Sequence, residues 1–321
     1  MSLESINNRS PEQSLQALDN ALDAIETVVL GKGRQVRLAM VCLIARGHLL
    51  IEDLPGMGKT TLAHTLAKVL GLEFSRVQFT SDLLPSDIIG ASIFNTHEHR
   101  FDFKPGPVFS PLLLADEINR ATPKAQSALL EAMEERQVSV DGETRMLPEP
   151  FFVIATQNPK SQLGTFALPE SQLDRFLMRV ELGYPDALAE RQLLAGQSPR
   201  QRLALLECQL SLGQLQQLQL HAEQIHLSDA VLDYVQRLVH LSRHSSEFEY
   251  GLSPRGALAL VHSARAWALL ERRDYVLPED VQQVLEPVAE HRLRGDHDTT
   301  GHRGASLARQ LLDAVEVVVS R

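Results

Sequence analysis

Cysteine is scarce in this chain: Cys42 and Cys208 are the two among 321 residues. They lie far apart and form no metal-ligand spacing, so both are expected to be small buried apolar residues in a reducing, cytoplasmic setting. Long apolar runs are missing too. The run Leu38 to Ala45 is too short to span a bilayer and is flanked by arginines, so no direct membrane insertion is expected. The N-terminal MSLESINNRSPEQS has neither a basic start nor an apolar stretch, so it does not read as a signal peptide. Basic charge is in deficit. With 31 Lys and Arg against 41 Asp and Glu the formal net charge is −10, which argues against a general polyanion binder and leaves room only for a local basic patch.

What is present is a soluble-type composition, 44% hydrophobic, enough to bury the core of one large domain or two ordinary ones. Residues 11 to 46 read as helices, with Leu15, Leu18, Leu22 and Ile25 at helical spacing and a break at Gly31 and Gly33. From 47 to about 183, apolar runs alternate with helical stretches, which predicts a parallel sheet covered on both faces. The candidate strands are His48–Ile51, Phe74–Gln78, Leu112–Ala115, Phe151–Thr156 and Phe176–Leu182. Asp141 and Gly142, between alternating residues, predict a β-hairpin. A second insert spans Asp87 to Pro107, with a polar tip at 96–100. Tyr184-Pro185-Asp186 marks a boundary, after which the pattern is helical with no further strand until the end. The domains expected are therefore 1–185 and 186–321.

The segment HLLIEDLPGMGKTT, His48 to Thr61, is an apolar run, a Pro-Gly turn and then Gly-Lys-Thr at the start of a helix. Strand, tight loop and helix start are the context of a phosphate-binding loop. There successive N–H groups and the helix N-terminus face an anion. Pro55, Gly56, Met57, Gly58 and Thr61 would form the cradle, Lys59 would reach the β- and γ-phosphates, and Thr60 would ligate Mg²⁺. The pattern G-x-x-x-x-G-K-[ST] has its first glycine where this chain has Asp53.

A second element follows four apolar residues: Asp116 and Glu117. Asp116 is expected to hold Mg²⁺, through its waters, and Glu117 to polarise the attacking water as a general base. A third, Ala155 to Pro159, puts Asn158 just past an apolar run, where its amide could bond the γ-phosphate; alone, Asn-Pro is turn chemistry. Two arginines complete the set. Arg175 precedes the last predicted strand, and Arg255 follows Ser253-Pro254 at a helix start. Guanidinium groups suit the negative charge that develops in phosphoryl transfer, although either arginine could be a surface ion-pair partner.

The order of the phosphate loop, Asp116 to Arg120, the Thr156-Gln157-Asn158-Pro159 tip, LPESQLDRF ending at Phe176, and Ser253-Pro254-Arg255 resembles the MoxR family of AAA+ ATPases, from about Val28 to Arg294. That resemblance implies an α/β P-loop NTPase core, a parallel sheet flanked by helices, followed by a small all-α lid. It implies ATP hydrolysis with Mg²⁺ in a hexameric ring, with Lys59, Thr60, Asp116, Glu117 and Asn158 acting in cis. Arg255 would be the lid's sensor arginine, also in cis, and Arg175 the arginine finger for the neighbouring subunit. Gly31 would line the adenine pocket, and Arg120 would face a neighbour. The Asp87–Pro107 insert and the Asp141-Gly142 hairpin would project toward the pore or a partner face. Similar proteins are chaperone-like and work with a von Willebrand factor A-domain (VWA) partner to mature a client complex. A nucleic-acid motor and a metal-chelatase motor subunit share this core and are the alternatives, the acidic balance counting against nucleic acid. His48 and Trp267 read as structural, and His291, His297 and His302 show no metal pattern.

Overall fold

The computed structural model describes residues 11–158, 164–196, 198–295 and 306–317. His297, His302 and Pro159 lie outside the described residues. The chain opens with helices α1 (Pro11–Glu26) and α2 (Gly33–Ile44), then alternates: β1 (Leu49–Glu52), α3 (Lys59–Val69), β2 (Phe74–Gln78), α4 (Pro85–Ile89), β3 (Gly90–Asn95), β4 (Arg100–Pro105), β5 (Leu112–Asp116), α5 (Pro123–Glu135), β6 (Gln137–Val140), β7 (Glu143–Met146), β8 (Phe152–Gln157), α6 (Glu170–Leu173) and β9 (Met178–Val180). Five of these strands form one parallel sheet in the order β2-β5-β8-β1-β9. Such a sheet is buried on both faces, which is why β5 is apolar without alternation until its last residue.

The two-residue period of the strands sorts their side chains into two cores. Leu49, Ile51, Leu112, Leu114, Phe152 and Ile154 pack on one face with α1, α2, α3 and the C-terminal helices. Leu50, Leu113, Ala115, Val153 and Ala155 pack on the other, against Leu129, Leu130 and Met133 of α5. His48 belongs to this framework: its Nδ1 accepts from Val153 N at 3.0 Å and its Nε2 lies 3.3 Å from Met133 O. The structural reading of that histidine fits these bonds.

The Asp87–Pro107 insert is a short helix and a regular hairpin, β3 paired with β4 from Gly90↔Pro105 to Asn95↔Arg100. Asp141 and Gly142 form the two-residue turn between β6 and β7, both with positive φ (54° and 79°), as a type I′ turn requires.

After β9 come α7 (Ala187–Leu194), α8 (Pro199–Leu205), α9 (Leu212–Gln224), α10 (Asp229–His244), α11 (Pro254–Leu270), α12 (Pro278–Ala289) and α13 (Leu307–Ala314). Serines cap several of them. Ser211 accepts from Gln214 N, Ser228 from Val231 N, and Ser253 from Gly256 N ahead of Pro254. Trp267 is buried in the same core as α1 and α2. No described helix is long and apolar enough to cross a membrane.

Three sequence expectations are corrected. The C-terminal part is not strand-free: β10 (Phe248–Tyr250) and β11 (Arg294–Gly295) form an antiparallel ribbon, too short to leave a periodic signature. The last sheet strand is confined to Met178–Val180, because Phe176 sits in the turn before it. Cys42 is buried, but Cys208 is exposed in the extended segment between α8 and α9, where no amphipathic face fixes its direction.

Candidate active site

The C-terminal tips of β1, β5 and β8 lie side by side. Glu52 pairs with Gln157 and Ala115 with Ala155, so the loop after β1, Asp116 and Asn158 emerge at one edge. Gly56 and Gly58 have φ of +86° and +92°, a left-handed backbone that an L side chain rarely adopts. A Cβ on either would meet nothing within 4 Å, so the backbone conformation of the turn, not crowding, calls for glycine. Pro55 and Gly56 are exposed, while Met57, Gly58, Thr60 and Thr61 are half-buried. Lys59 opens α3 and is 9% exposed; its Nζ donates to the main-chain oxygens of Asp53 (2.6 Å) and Leu54 (3.3 Å). Burial pulls its pKa below the usual lysine value, opposed by the carboxylates of Asp53, Asp116 and Glu117.

The loop fits a triphosphate, and a hydroxyl at Thr60 with a carboxylate at Asp116 suits a hard divalent cation. Asp116 is held on both oxygens. Thr156 Oγ donates to Oδ1 at 2.6 Å and Arg76 Nη2 to Oδ2 at 2.6 Å. Glu117 has φ of +56°, a costly conformation for a side chain other than glycine, fixed here because its N–H donates to the same Thr156 hydroxyl at 2.9 Å. Its Oε2 accepts from Gln78 Nε2 (3.0 Å) and Arg120 Nη1 (2.7 Å). Arg120 thus bonds within its own chain. Asn158 is half-buried at the tip of β8.

The two arginines are brought together elsewhere. Arg175 Nε bonds Glu134 Oε2 at 2.8 Å, and Arg255 Nη2 bonds Glu134 Oε1 and lies 3.9 Å from Asp174 through Nη1. Arg255 therefore keeps company with Arg175 at the C-terminal end of α5 rather than with Lys59. Gly31 packs against the chain beyond β9: a Cβ there would stand 2.8 Å from Ala189 Cβ and 3.1 Å from Asp186 Oδ2. Beside it Lys32 Nζ donates to Tyr184 O at 2.5 Å.

Sequence reasoning missed several participants. Asp53 is more than a tolerated departure: it is 9% exposed, and its carboxylate accepts from Leu54 N (2.7 Å) and from Gly183 N (2.6 Å), tying the loop after β1 to the chain that leads into α7. Arg76 and Gln78 stand two apart on β2 and so share a face, a signal the strand period already contained. Thr156, within the Thr-Gln-Asn-Pro tip, holds both Asp116 and the Glu117 N–H, and Glu134 carries no local signature.

Comparison with known proteins identifies the family. Residues 48–178 match the model of the ATPase family associated with various cellular activities (AAA), and residues 240–311 match the AAA lid domain. The YeaC protein of Bacillus subtilis is 42% identical over 95% of this chain and 96% of its own. The chaperone MoxR1 of Mycobacterium tuberculosis is 42% identical over 87% of this chain and 76% of its own. The crystal structure of a candidate ATPase from Cytophaga hutchinsonii superposes with a TM-score of 0.85 at 35% identity, covering 95% of this chain and 97% of that one. With a nucleotide loop at one sheet edge, a helical lid behind it and relatives of this length, the chain belongs to the MoxR family of AAA+ ATPases, enzymes that bind and hydrolyse ATP.

Proposed function

We propose that ATP is bound at the loop 55–61 and cleaved at its outermost phosphoanhydride by residues from three strand tips. Lys59 draws charge from the β- and γ-phosphates, and Glu117 orients and deprotonates the attacking water. Asn158 bonds the γ-phosphate or that water, and Gly31 borders the base. Magnesium would be held by Thr60 and Asp116 and would neutralise phosphate charge. Arg175 serves as the arginine finger offered to the nucleotide of a neighbouring subunit in a homo-oligomeric ring, taken to be a hexamer. Arg255, expected from sequence to act in cis as the lid's sensor arginine, stands beside Arg175 on Glu134 and is assigned to that same neighbouring nucleotide in place of the cis role. Their sharing of Glu134 supports that reading, since one carboxylate holds both guanidinium groups on a single surface. In these terms residues 1–185 form the ATPase core with its N-terminal helices, and 186–321 the lid.

The reading rests chiefly on Glu117, a non-glycine residue held at positive φ next to the phosphate loop. Glu117→Gln is expected to keep nucleotide binding and to lower phosphate release by roughly 10²- to 10⁴-fold. Undiminished release would overturn the assignment. For the ring as a whole we propose a cytoplasmic chaperone, as MoxR1 is named, which with a VWA-domain partner matures or activates a client complex. Capture on the Glu117→Gln variant in ATP, followed by identification of what it retains, tests this; retention of nucleic acid instead of protein would refute it.

A further inference from the structure

The turn that carries Arg175 is gripped by the lid. Arg292, just past α12, donates through Nε to Asp174 Oδ1 (2.6 Å) and through Nη2 to the main-chain oxygens of Asp174 (3.1 Å) and Phe176 (2.6 Å). Through Nη1 it donates to Leu177 O (3.1 Å) and Val288 O. All five of its N–H donors are therefore used, four of them on residues 174–177. The side chain is 3% exposed. His291 adds a contact from its Nε2 to Phe176 O at 3.1 Å, and the α11 cap joins in, with Ser253 Oγ donating to Asp174 Oδ2 at 3.0 Å. A Cβ at Gly256 would stand 3.0 Å from Arg292 Cδ, so the start of α11 also closes on this side chain.

A buried guanidinium is a costly way to fill space, because an apolar side chain of similar volume often stabilises as well. What the fork adds is placement. It fixes one carboxylate and three carbonyls of a four-residue segment relative to α12.

We infer that Arg292 is a positioning residue through which the lid of one subunit sets where its Arg175 stands, and hence the finger presented to the next subunit's nucleotide. This rests on the trans role proposed above for Arg175. A lid displacement that moves α12 must carry residues 174–177 with it or break four hydrogen bonds, so the nucleotide state of one site reaches the chemistry of the next.

The test uses the full chain with Arg292→Met, which removes every donor, and Arg292→Lys, which keeps charge without the fork. Since a finger misplaced by about 1 Å costs on the order of a hundredfold, Arg292→Met alone is expected to lose that much kcat. Its nucleotide Kd should stay within about twofold. Mixing it with Glu117→Gln subunits, themselves inactive, is expected to restore turnover by at least about tenfold, because intact fingers then face intact Glu117 sites. Arg175→Ala mixed the same way is the control. Rescue of Arg175→Ala without rescue of Arg292→Met overturns the inference, as does unchanged kcat in Arg292→Met. Failure to rescue Arg175→Ala overturns the trans role itself. Should Arg292→Met not fold, Arg292→Lys decides: lowered kcat rescued on mixing supports the inference, and wild-type kcat refutes it.

Discussion

Removing the Asp53 carboxylate is expected to loosen the join between the loop after β1 and the chain leading into α7. Two main-chain N–H groups, Leu54 at 2.7 Å and Gly183 at 2.6 Å, depend on it in a site 9% exposed. Leaving each without its acceptor costs about 1–3 kcal/mol. Relief of the carboxylate's own desolvation offsets part of that, which leaves a net loss of roughly 3 kcal/mol for Asp53→Ala. At about 2–4 °C per kcal/mol for a domain of this size, the melting temperature should fall by roughly 6–12 °C. Asp53→Asn keeps one acceptor oxygen and should lose about half as much. Asp53→Gly restores the usual glycine of the phosphate-loop pattern yet should match Asp53→Ala, since neither provides an oxygen. Thermal unfolding of the three variants at neutral pH measures the order, and limited proteolysis near Gly183 should accelerate in parallel. If Asp53→Ala lies within about 0.5 kcal/mol of the parent, as a surface substitution would, the carboxylate is not the tie described here.

Arg76 bonds Asp116 at 2.6 Å but is about half exposed, so solvent screens the pair to about 0.5–1 kcal/mol. A magnesium nucleotide that recruits Asp116 must displace it, and Arg76→Ala should therefore bind magnesium nucleotide about two- to fivefold more tightly by calorimetry; weaker binding would refute the competition. His48 gives a pH dependence. Burial pushes its imidazole from the ordinary 6.5 down to about 4, so the unfolded chain takes up its proton first. Its contribution is intact above pH 6.5 and is lost as the pH falls toward 4, a change on the order of 3 kcal/mol. Denaturant midpoints at pH 7 and pH 4.5 should separate more in the parent than in His48→Gln; equal separations would remove His48 from the account. His291 is shifted in the same direction by burial beside Arg292 and adds to the acid sensitivity.

The sheet was legible because buried parallel strands write continuous apolar runs, and Leu112 to Ala115 or Phe152 to Ala155 cannot be mistaken for surface. The hairpin at Asp141 was legible because its turn chemistry is local. The loop at Gly58-Lys59-Thr60 and the Asp116-Glu117 pair were visible for the same reason: each is a short motif whose neighbours in sequence are its neighbours in space. What escaped was long-range. Glu134 meets Arg175 and Arg255 across 41 and 121 residues, Asp53 meets Gly183 across 130, and Arg292 meets Asp174 across 118. Glu134, Gly183 and Arg292 carry no local pattern, so only the fold reveals these pairings. The ribbon of β10 and β11 was hidden by brevity, and the exposure of Cys208 by its place outside any periodic element.

The charged groups at both surfaces already have partners within the chain, and this bears on how turnover is controlled. Lys59 donates to two carbonyls, Asp116 is bonded to Arg76 and Thr156, Glu117 to Gln78 and Arg120, and Arg175 with Arg255 to Glu134. An incoming phosphate chain does not meet bare charges; it exchanges one set of partners for another, and each exchange returns much of what it takes. The free energy that drives binding is then the difference between two well-satisfied arrangements, smaller than a count of the new contacts alone would suggest. Glu117 illustrates the consequence. Arg120 and Gln78 hold its Oε2, so under the proposed mechanism the carboxylate reaches an attacking water only when those bonds give way. If Glu117 is the base proposed above, its restraint by its own chain would allow binding without hydrolysis until a further contact arrives, and in the proposed ring the arginine pair on Glu134 is the charged element suited to provide it.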